Sequence, residues 1–176
     1  MKKFSLILFL VSIALYSVAQ KSKIIAKNAG VEKAGTGYTF TEGPAVAPDG
    51  KVYFTDQPND RIYVWDENEG ISLWLEGTGR SNGMYFNDKG KLVTCADEKN
   101  QLAYFDDDKN LVVLHEGYDV KHLNAPNDLW IAPNDGIYFS DPYYHRRWWP
   151  EGHKEVQEVR GVYYLNPSGE IKRVID

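Results

Sequence analysis

The chain has 176 residues, a formal net charge of −5 at pH 7 and one cysteine, Cys95. This length allows one domain, and the acidic balance disfavours nucleic acid and anionic membrane surfaces as partners. Because one cysteine cannot form an internal disulfide, the fold must be stabilised by its core.

The N-terminus has the pattern of a secretory signal peptide. Two lysines precede an apolar run over residues 4–18, which ends in the small-x-small pattern Ser17-Val18-Ala19. The alternative is a single membrane anchor, but the run is short for a membrane span. We therefore predict a signal peptide over residues 1–19, a mature domain over residues 20–176 and a periplasmic or secreted location, without stable membrane insertion.

A motif recurs at a period that is typical of β-propeller blades. Glu42-Gly43-Pro44, Asn82-Gly83-Met84 and Asn127-Asp128-Leu129 stand at offsets of 82 − 42 = 40 and 127 − 82 = 45 residues. Repeats of this length that consist of short strands indicate a propeller, in which equivalent positions converge on a central channel. The three motifs are therefore expected to meet at one place.

Each repeat carries the signals of four short strands. Asp/Asn/Gly turns at residues 48–51, 88–91 and 133–136 separate the first two strands of each repeat. Two further strands follow in each, and no segment has a sustained helical period. The fold class is predicted as all-β, with about three four-stranded propeller blades and almost no helix. Residues 22–27 are predicted to form one more strand.

The third repeat contains an insertion. Tyr53 corresponds to Tyr138 at an offset of 85, whereas Ile62 corresponds to Val162 at an offset of 100, so 15 extra residues separate these strands. The insertion, at about residues 142–160, is rich in aromatic and cationic side chains. It is either a lid or substrate wall, or a surface loop that packs its own aromatics on the blade.

The number of repeats is small for a propeller. Closed propellers have four to eight blades, so about three blades predict either a partial sequence or a chain that pairs with another copy. We expect the chain alone to be inactive. The sequence leaves its oligomeric state open.

The recurring motif supplies oxygen-bearing side chains. Glu42, Asn82 and Asn127 are the kind of ligand that a hard cation such as Ca²⁺ takes. Alternatives remain at each position: an ion pair or cap for Glu42, and turn-forming roles for Asn82-Gly83 and Asn127-Asp128.

Other chemical motifs are missing from the sequence. Its four histidines have no zinc-type spacing, and neither a Gly-x-Ser-x-Gly elbow nor a phosphate-binding glycine loop is present. Asp56 and Asp141 correspond to each other at the ends of second strands. Asp141, beside the insertion, is predicted either to form an Asx turn that starts the loop or to support a ligand.

The motifs resemble, in order and spacing, the gluconolactonase branch of the senescence marker protein, gluconolactonase and luciferin-regenerating enzyme family. The resemblance is carried by residues 41–44, 81–84, 123–128, 136–142 and 161–163. It implies a six-bladed propeller that hydrolyses sugar-acid lactones with one divalent cation. Ca²⁺ is the first choice for this cation, and Zn²⁺, Mg²⁺ and Mn²⁺ are alternatives.

The resemblance also implies residue roles. Glu42 matches the family's metal-binding glutamate, and Asn127 matches an asparagine that contacts substrate or metal-bound water. The family's other metal ligands, and the aspartate expected as general base, would lie beyond Asp176. Asn82 belongs to the second blade and does not match the family's asparagine ligand. Ala125 stands where some relatives place a basic substrate contact.

The predicted function is thus a metal-dependent lactonase of the gluconolactonase type, acting on a small-molecule lactone. Beside Glu42 as metal ligand, the residues predicted to bind substrate or water are Asn82, Asn127, Asp128, His145, Arg146 and Trp148. The alternatives are a non-catalytic propeller that binds a sugar or protein partner, and an arylesterase-like propeller hydrolase.

Overall fold

The structure is a computed structural model that describes Ala26 and residues 28–176. The predicted signal peptide lies outside the described residues, and so does the strand predicted at residues 22–27 apart from Ala26. The strands of the described residues lie within the unit Ala34–Asp176. None of the helices in the described part of the chain is long and apolar enough to cross a membrane.

The unit consists of three four-stranded antiparallel sheets, each with its strands in sequence order. The prediction of an all-β fold built from propeller blades is confirmed. Blade 1 comprises β1 (Thr41–Val46), β2 (Val52–Asp56), β3 (Arg61–Asp66) and β4 (Gly70–Glu76). Blade 2 comprises β5 (Ser81–Phe86), β6 (Leu92–Ala96), β7 (Gln101–Phe105) and β8 (Leu111–His115).

Blade 3 is preceded by a small hairpin that the sequence did not predict, formed by β9 (Gly117–Tyr118) and β10 (Lys121–His122). Blade 3 itself comprises β11 (Leu129–Ile131), β12 (Ile137–Ser140), β13 (Val162–Leu165) and β14 (Ile171–Ile175). Among the described residues, helix is limited to one 3₁₀ turn at Gln57–Asn59. A loop of residues 141–161 joins β12 to β13 and is called the 141–161 loop below.

The turn between the first two strands is the same in all three blades. The residue after the first strand donates its backbone N–H to the carbonyl four residues later, at 2.8, 3.0 and 2.8 Å in blades 1, 2 and 3. A glycine with positive φ occupies this turn in blades 1 and 2, namely Gly50 and Gly90, and Asp135 (φ 62°) takes this conformation in blade 3. The turn signals in the sequence therefore mark real hairpin turns, because these residue types accept φ > 0.

The core lies between neighbouring blades. Side chains of blades 1 and 2 form one buried cluster, consisting of Ala45, Ile62, Met84, Leu92 and Phe105. Tyr53 of blade 1 joins it through edge-to-face contacts with Trp74 and with Phe86 of blade 2. A second buried cluster fills the space around blades 2 and 3, and consists of Val93, Cys95, Leu102, Leu123, Leu129, Ile137, Phe139, Tyr163 and Leu165. Cys95 is a free, buried thiol, so apolar packing between blades holds this unit together.

The first strands of the three blades, β1, β5 and β11, lie side by side. Gly83 in β5 donates its backbone N–H to the carbonyl of Asn127 at 2.8 Å. The Thr55 hydroxyl lies 3.0 Å from the Glu42 carbonyl and 3.4 Å from the Asn82 carbonyl, so it links β1 to β5. The recurring motif of each blade is thereby brought next to that of its neighbour.

Candidate functional site at the meeting of the inner strands

Two glycines of the recurring motif allow the inner strands to approach closely. A Cβ at Gly43 would collide with the Asn82 carbonyl, and a Cβ at Gly83 would collide with Asp128. Gly43 has a positive φ of 57°, and both glycines lie where the pairing with the second strand is bulged. Glycine is therefore required at both positions because the neighbouring segments lie too close for a Cβ atom. The spacing of the motifs in the sequence does not reveal this close approach.

Asn82 lies inside β5 and is fully buried. The alternative that Asn82-Gly83 forms a turn is therefore wrong, since both residues belong to the strand. Within the described part of the chain, the side-chain Oδ1 and Nδ2 of Asn82 have no hydrogen-bond partner. Buried amides are almost always paired, and an unpaired one costs about 1–3 kcal/mol. Both amide atoms of Asn82 are thus available to a bound group.

Glu42 is half-buried in β1. Burial raises the pKa of its carboxyl, the Arg146 guanidinium lowers it, and the nearby Asp128 and Asp97 carboxylates raise it. Burial and like charges both disfavour the ionised form of a carboxyl. A cation bound next to Glu42 would favour the ionised form and so lower this pKa.

Asn127 and Asp128 precede β11 and are held by backbone bonds to blade 3. The Asn127 N–H donates to the Ser140 carbonyl at 3.0 Å, and the Ser140 N–H donates to the Asp128 carbonyl at 3.0 Å. The Asn127 side chain is half-buried, whereas Asp128 is exposed. Asp128 Oδ1 accepts the N–H of Leu129 at 2.9 Å. One oxygen of Asp128 thus accepts the first N–H of β11, while the negative charge of Asp128 raises the pKa of Glu42.

The donor set that these strands bring together consists of oxygens. Glu42 offers a carboxylate, and Asn82 and Asn127 offer amide oxygens, which fits part of the coordination shell of a hard cation. Within the described residues, no group of three His, Cys, Asp or Glu side chains is placed to hold a metal ion. A cation at this site would therefore depend on amide, carbonyl or water oxygens in addition to Glu42.

Asp56 and Asp141 have the same structural task in blades 1 and 3. Asp56 Oδ1 accepts the N–H groups of Thr39 and Phe40 at 3.1 and 3.0 Å. Asp141 accepts those of Asn124 and Ala125 at 2.9 and 2.8 Å. Each carboxylate therefore fixes the segment that enters the first strand, and neither forms an Asx turn at the start of the following loop. Burial raises the pKa of Asp141 to about 6.

Asp97 is a fully buried carboxylate that the sequence analysis missed. Its Oδ2 accepts a hydrogen bond from Gln57 Nε2 at 2.6 Å and lies 2.6 Å from Arg146 Nε. Burial raises the pKa of Asp97 to about 6, although Arg146 and Gln57 oppose that rise. The repeat offset of 40 aligns Asp56 with Ala96 and leaves Asp97 one residue later. The sequence signal that could have found Asp97 is this aspartate, one residue after the position that corresponds to Asp56.

The 141–161 loop reaches across to blades 1 and 2. Trp149 is buried and donates its indole N–H to the Asp97 carbonyl at 3.1 Å. The guanidinium carbons of Arg80 and Arg146 lie 4.6 and 5.6 Å from the centre of a Trp148 ring. His145 is exposed. The loop thus packs one tryptophan on the blades, as a surface loop would, and also sets charged and aromatic groups near the inner strands.

A cleft of about 320 Å³ lies under this loop, lined by Phe40, Gln57, Pro58 and residues 145–148. A larger cleft, of about 440 Å³, lies among the turns of blades 2 and 3 around Asn87 and Asn166. The larger one contains none of the predicted site residues. Of these two clefts, only the smaller one, under the 141–161 loop, is lined by predicted site residues.

The propeller blades and the order of the site motifs define a family. Residues 40–176 match the SMP-30/Gluconolactonase/LRE-like region, and the chain belongs to this family. It is similar to a gluconolactonase of Zymomonas mobilis subsp. mobilis, with 25% identity over 156 residues, or 80% of this chain and 44% of that protein.

Two solved structures have similar folds. One is a gluconolactonase from Xanthomonas campestris, with 27% identity and a TM-score of 0.75 over 79% of this chain and 48% of that one. The other, a structural-genomics target studied as a candidate gluconolactonase, has 27% identity and a TM-score of 0.75 over 82% of this chain and 51% of that one. The chain spans about half the length of these relatives.

Proposed function

We propose that these blades form part of a metal-dependent lactonase of the gluconolactonase type, which hydrolyses a sugar-acid lactone. The observation that carries the proposal is that Glu42 in β1, the unpaired buried amide of Asn82 in β5, and Asn127 just before β11 lie on adjacent segments of three neighbouring blades. Membership of the family and similarity to gluconolactonases supply the reaction class. A periplasmic or secreted location is part of the same proposal.

The proposed cation is divalent, with Ca²⁺ as first choice and Zn²⁺, Mg²⁺ or Mn²⁺ as alternatives. Glu42 would hold it with a full negative charge, and the neighbouring amide oxygens would complete part of its shell. When bound, such an ion polarises a carbonyl as a Lewis acid.

The remaining side chains would bind and orient the substrate. The Asn127 amide can hydrogen-bond to a water or sugar hydroxyl, with Asn82 and Asp128 beside it. Arg146 suits the oxygens of a lactone or carboxylate, Trp148 offers an aromatic face to a sugar ring, and His145 stands at the exposed edge. No residue of the chain is assigned as general base, since none of the residues through which the chain resembles the family has that role.

The cation can be tested on the chain itself by luminescence of Tb³⁺, an oxygen-seeking probe for Ca²⁺ sites that nearby tryptophans sensitise. We expect saturable binding that excess Ca²⁺ reverses, and at least a ten-fold weaker affinity in Glu42→Gln, because the charge of the ligand is lost. Glu98→Gln is the matched control, since Glu98 is exposed. Equal affinities in the two variants would contradict the assignment of Glu42.

The reaction can be tested in a chimera, because we expect the chain alone not to turn over lactones. Residues 40–176 would replace the matching segment of the Zymomonas gluconolactonase, and hydrolysis of gluconolactone would be followed by the acid released. Activity that a chelator removes and Ca²⁺ restores would support the proposal. A chimera that folds, as judged by circular dichroism, but has no activity would count against a lactonase site in these blades.

A further inference from the structure

Asp97 holds the 141–161 loop at two points. Its buried carboxylate lies 2.6 Å from Arg146 Nε, and its backbone carbonyl accepts the Trp149 indole N–H at 3.1 Å. The Arg146 side chain is only 18% exposed and Trp149 is buried. One residue at the end of β6 therefore anchors both the cationic and the aromatic part of the loop.

The carboxylate of Asp97 differs from those of its counterparts in the other blades. Asp56 and Asp141 accept backbone N–H groups, whereas Asp97 accepts a hydrogen bond from the Gln57 side chain and forms an ion pair with Arg146. Its Oδ1 has no partner among the described residues. Asp97 is thus placed to orient side chains, and Gln57 from blade 1 contacts the same carboxylate oxygen, Oδ2, as Arg146.

The guanidinium that Asp97 holds acts directly on the proposed site. Among the charges around Glu42, that of Arg146 has the largest effect on the glutamate's pKa. Arg146 also lies against the ring of Trp148, which Arg80 contacts as well. Moving the loop would therefore change the electrostatic surroundings of Glu42.

We propose that Asp97 is a positioning residue, which seats the 141–161 loop across the ends of blades 1 and 2 and keeps Arg146 within electrostatic range of Glu42. There the remaining guanidinium N–H groups can bind the oxygens of a sugar-acid lactone. The substrate contact rests on the proposed function. The anchoring of the loop does not, and it can be measured without activity.

The first test is limited chymotrypsin digestion of the chain, with cleavage after Tyr144 and Trp148 as the readout of loop release. We expect at least ten-fold faster cleavage there in Asp97→Asn than in the parent, and no change in Glu98→Gln. Arg146→Gln should have a similar effect, and the double variant should add little, because both single changes break the same contact. Cleavage outside residues 141–161 in the same digest reports on the integrity of the blades.

The second test is the pH dependence of this cleavage. Cleavage caused by a general loss of packing would not depend on the protonation of a single carboxyl group, that of Asp97. The charged groups that act on Asp97 are Arg146 and Arg80, and Glu42 lies within electrostatic range; the loop itself also carries His145 and His153. Cleavage in the parent should rise as the pH falls through about 6, where Asp97 takes up a proton. In Asp97→Asn this carboxyl is absent, so any pH dependence that is left comes from other groups.

The proposal is overturned if folded Asp97→Asn is cleaved at the parental rate, or if its pH profile matches that of the parent. A chimera without lactonase activity would leave that result unaffected, so the two proposals fail separately. In an active chimera, Asp97→Asn should raise the KM for gluconolactone more than it lowers kcat.

Discussion

At the scale of single residues, the amide of Asn82 and the carboxylate of Asp141 are both buried but differ in their surroundings. Asp141 accepts two backbone N–H groups, at 2.9 and 2.8 Å. Both polar atoms of Asn82 lack a partner within the described residues. A buried polar group with partners stabilises the fold, and one without partners opposes folding unless a ligand pairs it.

Replacing Asn82 by Leu tests this difference. The variant should keep or raise the melting temperature, by up to roughly 4 °C, because an unpaired buried amide is replaced by an apolar group of similar size. Tb³⁺ affinity should nevertheless fall, because an oxygen donor is lost. Thermal unfolding and Tb³⁺ titration of the same sample measure both effects, and a clear drop in melting temperature would mean that the amide is already paired.

Asp141→Ala should have the opposite effect. It leaves the buried N–H groups of Asn124 and Ala125 without an acceptor, so we expect unfolding to become easier by about 2–4 kcal/mol. The backbone partners of Asp56, Thr39 and Phe40, are more exposed. Asp56→Ala should therefore lower the free energy of unfolding by less than Asp141→Ala does. Urea unfolding of the two variants measures the difference, and equal losses would contradict this account.

The pKa of Asp141 has a consequence of its own for stability. Since burial raises this pKa from 3.8 to about 6, the folded state binds the proton more tightly than the unfolded state. The contribution of Asp141 to stability is therefore greatest below pH 3.8 and is lost as the pH rises through about 6. Between pH 4 and 6.5, the parent should lose stability relative to Asp141→Asn. Urea unfolding across this range measures the trend, and a constant difference would refute it.

At the scale of the structural elements, the close approach of β1 and β5 depends on glycine. Gly43 and Gly50 both have positive φ, but only the Cβ of a substituted Gly43 would meet backbone atoms, whereas Gly50 has open space around it. We expect Gly50→Ala to cost about 1 kcal/mol and Gly43→Ala at least about 2 kcal/mol more, because the strands must move apart. Similar melting temperatures for the two variants would show that the inner strands are not held so closely.

The strands and turns could be predicted from the sequence because their signals are local. Alternating apolar residues and Asp/Asn/Gly turns recur with a fixed period, and each hairpin needs only its own residues. The strand position of Asn82 could not be predicted, because Asn-Gly also favours turns and the decisive contact of Gly83 is with Asn127, 44 residues away. The ion pair of Asp97 with Arg146 was missed for the same reason, since it joins blade 2 to an insertion in blade 3.

At the scale of the whole molecule, the apolar clusters lie between blades and the polar groups collect where the first strands meet. A cation at that meeting point would bind the folded blades and not the unfolded chain, so it should stabilise them by mass action. At 100 times its dissociation constant, the gain is about 2.7 kcal/mol. Adding Ca²⁺ should therefore raise the melting temperature of the parent more than that of Glu42→Gln, which binds the cation more weakly. Equal responses of the two proteins would place the bound cation elsewhere.

The hydrogen bond from the Gly83 N–H to the Asn127 carbonyl also affects how the protein ages. Asn-Gly pairs deamidate when the backbone nitrogen of the glycine attacks the asparagine side chain and closes a succinimide ring. Here that nitrogen is bonded across to the neighbouring blade at 2.8 Å, and Asn82 is buried in an extended strand. Ring closure therefore requires blades 2 and 3 to separate first. The slow appearance of aspartate or isoaspartate at position 82, read by mass spectrometry, would record how often this interface opens during storage.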